Sequence, residues 1–194
     1  RFAMFGHTDF GLALGYKAKV IKDYFLNYAT QNADFCIDLA NGKTDILTPV
    51  RENWKVSLFE TGSDTQTGGR VKRLTNYVGN DRFFLTYGDG VSNIDINKLL
   101  EFHLSHGKMV TISAVHPGAR FGELALTGTT VTNFREKPQT TTGWINGGYF
   151  VIEPEFLKLI SDDTTVLEEG PLEKIASMGQ MEAYLHDDFW HCMD

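Results

Sequence analysis

The stretch Leu85-Thr86-Tyr87-Gly88-Asp89-Gly90 decides the fold prediction, because an apolar strand that begins at Phe83 ends there in a small turn with one carboxylate. In an open α/β sheet the ligand crevice lies just beyond the carboxyl ends of the strands. Flanking glycines let a backbone approach a ligand closely, so Asp89 is placed to hold a metal ion beside a phosphate. The alternative is a solvent-facing turn, since Gly-Asp-Gly is common turn chemistry.

Composition limits the classes of protein to consider. The chain has 194 residues and a formal net charge of −7, which fits one α/β domain with a substantial core. An acidic balance argues against nucleic acid as a partner, because phosphate backbones are bound by clustered Lys and Arg. No apolar run is long enough to span a bilayer and no secretory signal is present, so no membrane partner is predicted. Two distant cysteines, Cys36 and Cys192, make no disulfide framework, which predicts a cytoplasmic location.

Strand and helix patterns alternate in the first half of the chain, and the second half is richer in short strands. This order predicts a mixed, mostly parallel sheet with helices on its faces, in a single domain over residues 1–194. Residues 40–54 are polar and irregular. Long polar loops in compact domains are often functional, so this segment is the part of the chain that we expect to reach a neighbouring molecule.

A glycine-rich segment, Thr65-Gln66-Thr67-Gly68-Gly69-Arg70, lies between a predicted strand and a predicted helix. Backbone N–H groups at a helix start favour anions, and Arg70 adds a fork of donors that suits a phosphate or a base edge. The alternative is a flexible surface loop with a solvated arginine. Glycine-rich loops are weakly specific, so this motif alone does not decide between them.

Three later positions carry polar chemistry. Glu136 can accept hydrogen bonds from sugar hydroxyls, and Lys137 can hold a phosphate as a point charge; the alternative is an exposed, charged strand end. Asn146 precedes two glycines and offers both a donor and an acceptor, or else belongs to a turn into a buried aromatic strand. Asp194, taken alone, is typical of a solvated terminal carboxylate.

Other sequence patterns favour structural interpretations over catalytic or metal-binding ones. His103 and His106 are three residues apart on a predicted helix, and without a third ligand in view a structural role is predicted for both. No P-loop, GxSxG, HExxH or CxxC pattern is present. A metal-dependent glycosyltransferase would more usually show Asp-x-Asp, whereas Val91 occupies the second position here.

Taken in order, these segments resemble the bacterial sugar-1-phosphate nucleotidyltransferases, and the resemblance covers nearly the whole chain. Glu-Lys-Pro and Gly-Asp belong to the wider superfamily, whereas Thr-Gly-Gly-Arg and the Met-Asp ending point to its cytidylyl branch. The resemblance implies a Rossmann-like open mixed, mostly parallel sheet of the nucleotide-diphospho-sugar transferase type, with helices on both faces. The matching segments are Gly15–Lys17, Val20–Phe25, Glu60–Gly62, Thr67–Arg73, Thr86–Val91, Pro117–Gly122, Glu136–Pro138, Ile145–Phe150, Phe189–Trp190 and Met193–Asp194.

The resemblance also implies an activity, in which CTP and glucose 1-phosphate give CDP-glucose and pyrophosphate. It implies that Mg²⁺ is held by Asp89 and Asp194, that the enzyme is a homo-oligomer, and that CDP-glucose feeds O-antigen and lipopolysaccharide biosynthesis. Lys137 is expected to be catalytic with the two aspartates. The remaining implied roles are nucleotide binding by Thr65, Arg70 and Gly88, and sugar-phosphate binding by Glu136, Lys137 and Asn146.

Two alternatives remain open beside this prediction. In the first alternative, the enzyme uses UTP or dTTP instead of CTP. In the second, the chain is a non-catalytic nucleotide-sugar-binding regulatory protein. The family's Gly-Gly-x-Gly-Thr-Arg-like loop with its downstream lysine, which wraps the triphosphate, is not in these 194 residues, and neither is a tail beyond Asp194. We therefore expect the sequence to be truncated at both ends, and a polypeptide this short not to bind the triphosphate productively.

Overall fold

The computed structural model describes residues 1–48, 50–117, 123–127, 129–135 and 143–193. The strands are β1 (Asp9–Leu14), β2 (Phe35–Asp38), β3 (Lys43–Ile46), β4 (Lys55–Glu60), β5 (Phe83–Thr86), β6 (Gly90–Ser92), β7 (Val110–Val115), β8 (Glu123–Thr127), β9 (Thr130–Arg135), β10 (Ile145–Ile152), β11 (Met181–His186) and β12 (Trp190–Cys192). The helices are α1 (Ala18–Leu26), α2 (Tyr28–Asn32), α3 (Thr67–Arg73), α4 (Thr75–Val78), α5 (Ile96–His106) and α6 (Glu173–Ser177), with 3₁₀ turns at Phe2–Phe5 and Pro154–Leu159 and a π-helical turn at Glu168–Leu172.

The chain divides into two compact units. The first unit comprises residues 2–77 and 161–167, and the second comprises residue 1 with the described parts of 78–160 and 168–194. In the first unit β1 and β4 pair in parallel, from Asp9 beside Lys55 to Leu14 beside Glu60. Strands β2 and β3 form a separate antiparallel hairpin in the same unit.

The second unit contains a four-stranded sheet in the order β11-β7-β10-β5. Strand β11 runs parallel to β7, and β10 runs antiparallel to both β7 and β5. Strand β12 pairs with β6, and β8 pairs with β9. This unit holds most of the buried apolar core, because β7 and β10 lie inside the sheet and α5 packs beside them. Its fully buried side chains include Ile94, Ile96, Leu99, Val110, Val115, Phe150, Val151, Ile152, Phe156, Ile160 and Ile175.

The ends of α5 follow from local sequence. Asp95 caps the first turn, since its carboxylate accepts a 3.1 Å hydrogen bond from the backbone N–H of Lys98. Gly107 ends the helix in the left-handed conformation, with φ of 65°, where glycine carries no steric cost. Between these ends, Ile96, Leu99 and His103 are buried on one face.

The mixed α/β class is confirmed, but the share of parallel pairing is smaller than expected. Among the described strands, two pairs are parallel and five are antiparallel. Two of the five antiparallel pairs arise from β10, which returns through the middle of the sheet between β5 and β7, and the other three lie in separate two-stranded pairings. The direction of a strand depends on its distant partners, whereas a hydrophobic pattern reports only burial.

Two expectations from composition can be compared with the structure. Cys36 and Cys192 are both free thiols in this structure. In the part of the chain that the structure describes, every helix is too short or too polar to cross a membrane.

Candidate active site

One edge of the second unit's sheet gathers several chain segments. The carboxyl ends of β5, β7 and β11 meet the beginning of β10 at this edge, since Thr86 pairs with Tyr149 and Val115 pairs with both Ile145 and His186. Ligands of open α/β sheets bind beyond the carboxyl ends of strands. The loops that follow these strands therefore supply the candidate site.

Asp89 lies in the loop between β5 and β6, and its side chain is half-buried. The backbone on its C-terminal side is fixed, because Gly90 pairs with Cys192 and the carbonyl of Asp89 accepts a 2.8 Å hydrogen bond from the N–H of Met193. Within the described residues, no hydrogen bond or ion pair engages the Asp89 carboxylate. Its oxygens are thus available to a cation or another ligand.

Gly88 precedes this carboxylate at an open position. A Cβ atom built on Gly88 would meet no atom of the described residues within 4 Å. The nearby Gly147 differs, since a Cβ there would approach the Ser113 hydroxyl and a methyl group of Val115 at 2.7 Å. Gly147 is therefore required by packing, whereas packing does not explain Gly88.

Asn146 is exposed at the start of β10, and hydrogen bonds fix both ends of its amide. Its Oδ1 accepts from the N–H of Gly148 at 2.8 Å, and its Nδ2 donates to the phenol oxygen of Tyr87 at 3.2 Å. Tyr87 in turn donates to Oε1 of Glu168 at 2.6 Å. Burial raises the pKa of Tyr87, and the Glu168 carboxylate raises it further, so the phenol stays protonated at neutral pH.

Aromatic side chains support the same edge. The indole N–H of Trp190 donates to the carbonyl of Gly147 at 2.8 Å, and the hydroxyl of Tyr149 donates to the carbonyl of Gly90 at 3.2 Å. The rings of His116 and Trp144 are stacked with centroids 3.9 Å apart. These contacts tie the beginning of β10 to the loops that carry Asp89 and His116.

In the first unit, Arg70 organises the loop that follows β4. Its Nη1 donates to the Thr61 hydroxyl at 2.6 Å, to the carbonyl of Gly62 at 2.9 Å and to the carbonyl of Leu14 at 3.3 Å. Its Nη2 donates to the carbonyl of Ser63 at 3.3 Å. The Nε–H and one Nη2–H are not used by any described residue, so the guanidinium keeps donors for a ligand.

Thr65 belongs to the same loop, where its hydroxyl donates to the carbonyl of Thr61. Gly62, which lies between them in sequence, has φ of +89°, a conformation that other residues adopt only at a cost. The loop from Thr61 to Thr65 is therefore ordered by its own hydrogen bonds. Arg70 is bonded to this loop, which differs from the solvated arginine of one sequence interpretation.

The glycines at the start of α3 serve packing, which corrects the anion-binding interpretation of the Thr-Gly-Gly-Arg motif. The N–H groups of Gly68 and Gly69 donate to the carbonyl of Thr165 at 2.9 and 3.2 Å, and the N–H of Gln66 donates to the carbonyl of Asp163 at 2.8 Å. A Cβ on Gly69 would stand 2.5 Å from Cα of Asp163. These donors are occupied by a neighbouring segment, so they do not form an anion cradle.

The predicted site residues thus fall into three groups. Gly88, Asp89 and Asn146 lie at the carboxyl edge of the second unit's sheet, and Thr65 and Arg70 lie together in the first unit. Glu136, Lys137 and Asp194 lie outside the described residues. Among the described residues, no group of three or more His, Cys, Asp or Glu side chains is arranged to hold a metal ion. Asp89 is therefore the one predicted metal ligand whose surroundings can be assessed.

Sequence patterns missed the residues that support this edge. Tyr87 was part of the decisive stretch, but no pattern gave it a role. Glu168 lies far along the chain inside an acidic segment, and no local signal connects it with Tyr87. The sequence patterns also missed His116, Trp144 and Asp187. In the folded chain the His116 imidazole lies 3.3 Å from the Asp187 carboxylate.

The model of the nucleotidyl transferase family matches residues 43–190, and the chain belongs to that family. Over all 194 residues it is 41% identical to the glucose-1-phosphate cytidylyltransferase of Salmonella typhimurium (strain LT2) and 36% identical to a probable glucose-1-phosphate cytidylyltransferase of Bacillus subtilis (strain 168). In each case it covers 76% of the relative.

Solved structures share the fold. HddC from Yersinia pseudotuberculosis superimposes with a TM-score of 0.65 at 21% sequence identity, over 99% of this chain and 76% of that one. At this identity the likeness concerns the fold alone. It agrees with the Rossmann-like, nucleotide-sugar transferase type of architecture that the sequence predicted.

Proposed function

We propose that this protein joins CTP and glucose 1-phosphate to form CDP-glucose, with release of pyrophosphate. The observation that carries the proposal is the 41% identity with a glucose-1-phosphate cytidylyltransferase along the whole chain. The position of Asp89 and Asn146 at one carboxyl edge of the sheet supports it, because that edge is where α/β sheets bind phosphorylated ligands.

The proposed reaction is a single displacement at phosphorus. A phosphate oxygen of glucose 1-phosphate attacks the α-phosphorus of CTP, and the bond from that phosphorus to the oxygen bridging to the β-phosphate breaks. Pyrophosphate leaves with the electron pair of that bond. The attacking oxygen is already anionic at neutral pH, so no general base is required. Repulsion between anions is the main obstacle, and positioning with charge neutralisation supplies most of the catalysis.

A divalent cation, Mg²⁺, is part of the proposal. The Asp89 carboxylate fits such a cation because it is half-buried, lies beside the sheet edge and has no hydrogen bond or ion pair within the described chain. Carboxylate oxygens are the ligands that Mg²⁺ prefers. Asp89 and Asp194 would hold the ion, which when bound neutralises charge on the reacting phosphates.

The remaining assignments divide between the two substrates. We propose that Thr65, Arg70 and Gly88 contact the nucleotide. The two donors of Arg70 that the loop does not use suit a base edge or a phosphate. On the sugar side, Asn146 still has one amide hydrogen and one lone pair without a partner among the described residues. Glu136 and Lys137 complete that side in the proposal, with Lys137 holding the sugar phosphate.

Assembly and location are also proposals. A homo-oligomer, a cytoplasmic location and a role in supplying O-antigen and lipopolysaccharide precursors accompany the proposed activity. The chain forms two compact units. Its organisation as one nucleotidyltransferase domain over residues 1–194 stays a prediction.

The decisive experiment is a turnover assay on the purified full-length polypeptide with glucose 1-phosphate, MgCl₂ and each of CTP, UTP and dTTP. We expect release of pyrophosphate and formation of CDP-glucose, with kcat/KM for CTP at least about tenfold above the other nucleotides, a difference of about 1.4 kcal/mol. A preference for UTP or dTTP would make the cytidylyl assignment wrong. Binding of CTP in calorimetry without turnover would favour the regulatory alternative.

A further inference from the structure

We propose that Tyr87 is a positioning residue for the sugar-phosphate side of the site, because it holds the Asn146 amide in one orientation through a hydrogen-bond chain that ends on Glu168. The inference rests on the proposed function, since it assigns a task to Asn146 in binding glucose 1-phosphate. The inference adds Tyr87 and Glu168 to the residues proposed for the sugar-phosphate side of the site. Neither the sequence motifs nor the names of the relatives give these two residues a role.

The direction of each hydrogen bond follows from the chemistry of the groups. An ionised carboxylate only accepts, so the single phenol hydrogen of Tyr87 must point to Glu168, 2.6 Å away. The phenol oxygen can then only accept from its other neighbour. It therefore selects the NH₂ end of the Asn146 amide, which lies 3.2 Å away, over the carbonyl end.

A second contact selects the same orientation independently. The N–H of Gly148 is a donor and lies 2.8 Å from Oδ1 of Asn146. A flipped amide would place NH₂ against this N–H, and its carbonyl against a phenol oxygen that has no hydrogen left to give. Both mismatches would disfavour the flipped state, so the amide is held with one hydrogen and one lone pair ready for a ligand.

The Tyr87 ring is anchored separately from its hydroxyl. Its backbone N–H donates to the carbonyl of Gly148 at 3.3 Å, and its ring meets that of Phe150 edge to face with centroids 5.8 Å apart. Gly148 has φ of +76°, and a Cβ there would stand 2.8 Å from the Tyr87 ring. The ring would therefore stay in place without the hydroxyl, so a change to phenylalanine removes the hydrogen-bond chain alone.

The test compares Tyr87→Phe with wild type in the full-length protein. We expect KM for glucose 1-phosphate, and its Kd from calorimetry, to rise about tenfold, as the loss of one orienting hydrogen bond predicts. KM for CTP should stay within about twofold. Tyr77→Phe is the matched control, because it also removes a hydrogen bond from a phenol to a carboxylate, that of Asp9, but in the first unit. Its substrate constants should not change.

Glu168 provides a second test that does not depend on Tyr87→Phe. A glutamine at this position still offers an acceptor oxygen, so Glu168→Gln should keep KM for glucose 1-phosphate near the wild-type value. Glu168→Ala removes the acceptor and should reproduce the effect of Tyr87→Phe. Equal defects in Glu168→Gln and Glu168→Ala would overturn the proposal, because charge and not orientation would then be responsible.

The outcomes separate this inference from the proposed function. Wild-type turnover with an unchanged KM for glucose 1-phosphate in Tyr87→Phe would refute the positioning role and leave the proposed function intact. If the Tyr87 hydroxyl had a purely structural role, Tyr87→Phe and Tyr77→Phe would both lower the melting temperature. Tyr87→Phe would then change KM for glucose 1-phosphate and KM for CTP by similar factors. Absence of wild-type turnover would refute the proposed function, and the positioning role with it.

Discussion

Nδ1 of His103 lies 2.8 Å from the hydroxyl of Thr111, and the same hydroxyl lies 2.7 Å from Nε2 of His106. Two further contacts, one on each histidine, indicate which ring nitrogens donate and which accept. The N–H of Lys108 donates to Nδ1 of His106 at 3.0 Å, and Nε2 of His103 faces the Glu153 carboxylate at 3.1 Å. Burial lowers the pKa of both imidazoles and so favours their neutral forms. In those forms the hydrogen bonds run in one direction, with His106 donating to Thr111 and Thr111 donating to His103. The structural role predicted for these two histidines is confirmed.

This arrangement predicts a loss of stability in mild acid. Burial lowers the pKa of His103 and of His106, with Arg82 adding to the shift at His103 and His103 adding to it at His106. Unfolded imidazoles titrate near 6.5, so the unfolded chain binds more protons below that pH. The contribution of the two neutral imidazoles to the free energy of unfolding is complete above about pH 6.5. It is lost as the pH falls towards their lowered pKa values. Each imidazole contributes at most about 1.4 kcal/mol per pH unit.

Chemical denaturation at pH 7.5 and pH 5.5 measures this effect. We expect His106→Gln to reduce the difference in the free energy of unfolding between the two pH values. His191→Gln is the control, because it changes an exposed imidazole, and it should keep the wild-type difference. A wild-type difference that survives in His106→Gln would show that other groups cause it.

Asp89→Asn should separate activity from stability. We expect turnover of CTP and glucose 1-phosphate to fall on the order of 100-fold, because the proposed site would lose a ligand of the cation that neutralises charge on the phosphates. The free energy of unfolding should change by less than about 0.5 kcal/mol, since the carboxylate has no hydrogen bond or ion pair in the described chain. Asp81→Asn, at an exposed carboxylate, should alter neither quantity. Near-normal turnover in Asp89→Asn would exclude Asp89 as a metal ligand.

Gly88→Ala should affect ligand binding alone. The added methyl group meets no atom within 4 Å in the part of the chain that the structure describes, so the melting temperature should stay the same. KM for CTP should rise at least about tenfold if the backbone of Gly88 lies against the nucleotide. Gly147→Ala should instead cost about 1–3 kcal/mol of stability, because its methyl group would collide with Ser113 and Val115. An unchanged KM for CTP in Gly88→Ala would remove Gly88 from the nucleotide site.

Gly69→Ala should destabilise the first unit. Its methyl group would stand 2.5 Å from Cα of Asp163, and the backbone there cannot move as a side chain can. We expect a loss of about 1–3 kcal/mol in the free energy of unfolding. Gly170→Ala, which places its methyl group in open space, is the comparison and should be nearly neutral. Equal stability of the two variants would contradict the packing role assigned to Gly69.

Local patterns were sufficient for much of the fold. The apolar run at Phe83 ends in a strand at Thr86, and the turn after it carries Asp89 to a sheet edge, as predicted. The helix that carries His103 and His106 was also predicted, because the burial of α5 on one face leaves a clear period in the sequence. Strand β3 was missed, since all of its residues are exposed and no buried face imposes such a period.

Long-range relationships could not be inferred in the same way. Glu168 meets Tyr87 across 81 positions of sequence, and neither residue carries a sign of the other. The glycines of Thr-Gly-Gly-Arg favoured an anion in the sequence, but the segment that packs against them lies about ninety residues further on. A glycine pattern shows that something approaches closely, and only the folded chain shows what it is.

The pairing of β6 with β12 has a consequence for how the protein is made. The hydrogen bond from Met193 to Asp89 joins positions about a hundred residues apart. At synthesis rates of about 5–20 residues per second, Asp89 leaves the peptidyl-transfer centre on the order of ten seconds before its clamping strand is translated. A nascent or prematurely released chain therefore carries the acidic loop without its backbone support. Only a chain translated through β12 and Met193 can complete this corner, so the supported geometry at Asp89 requires that synthesis has passed this point.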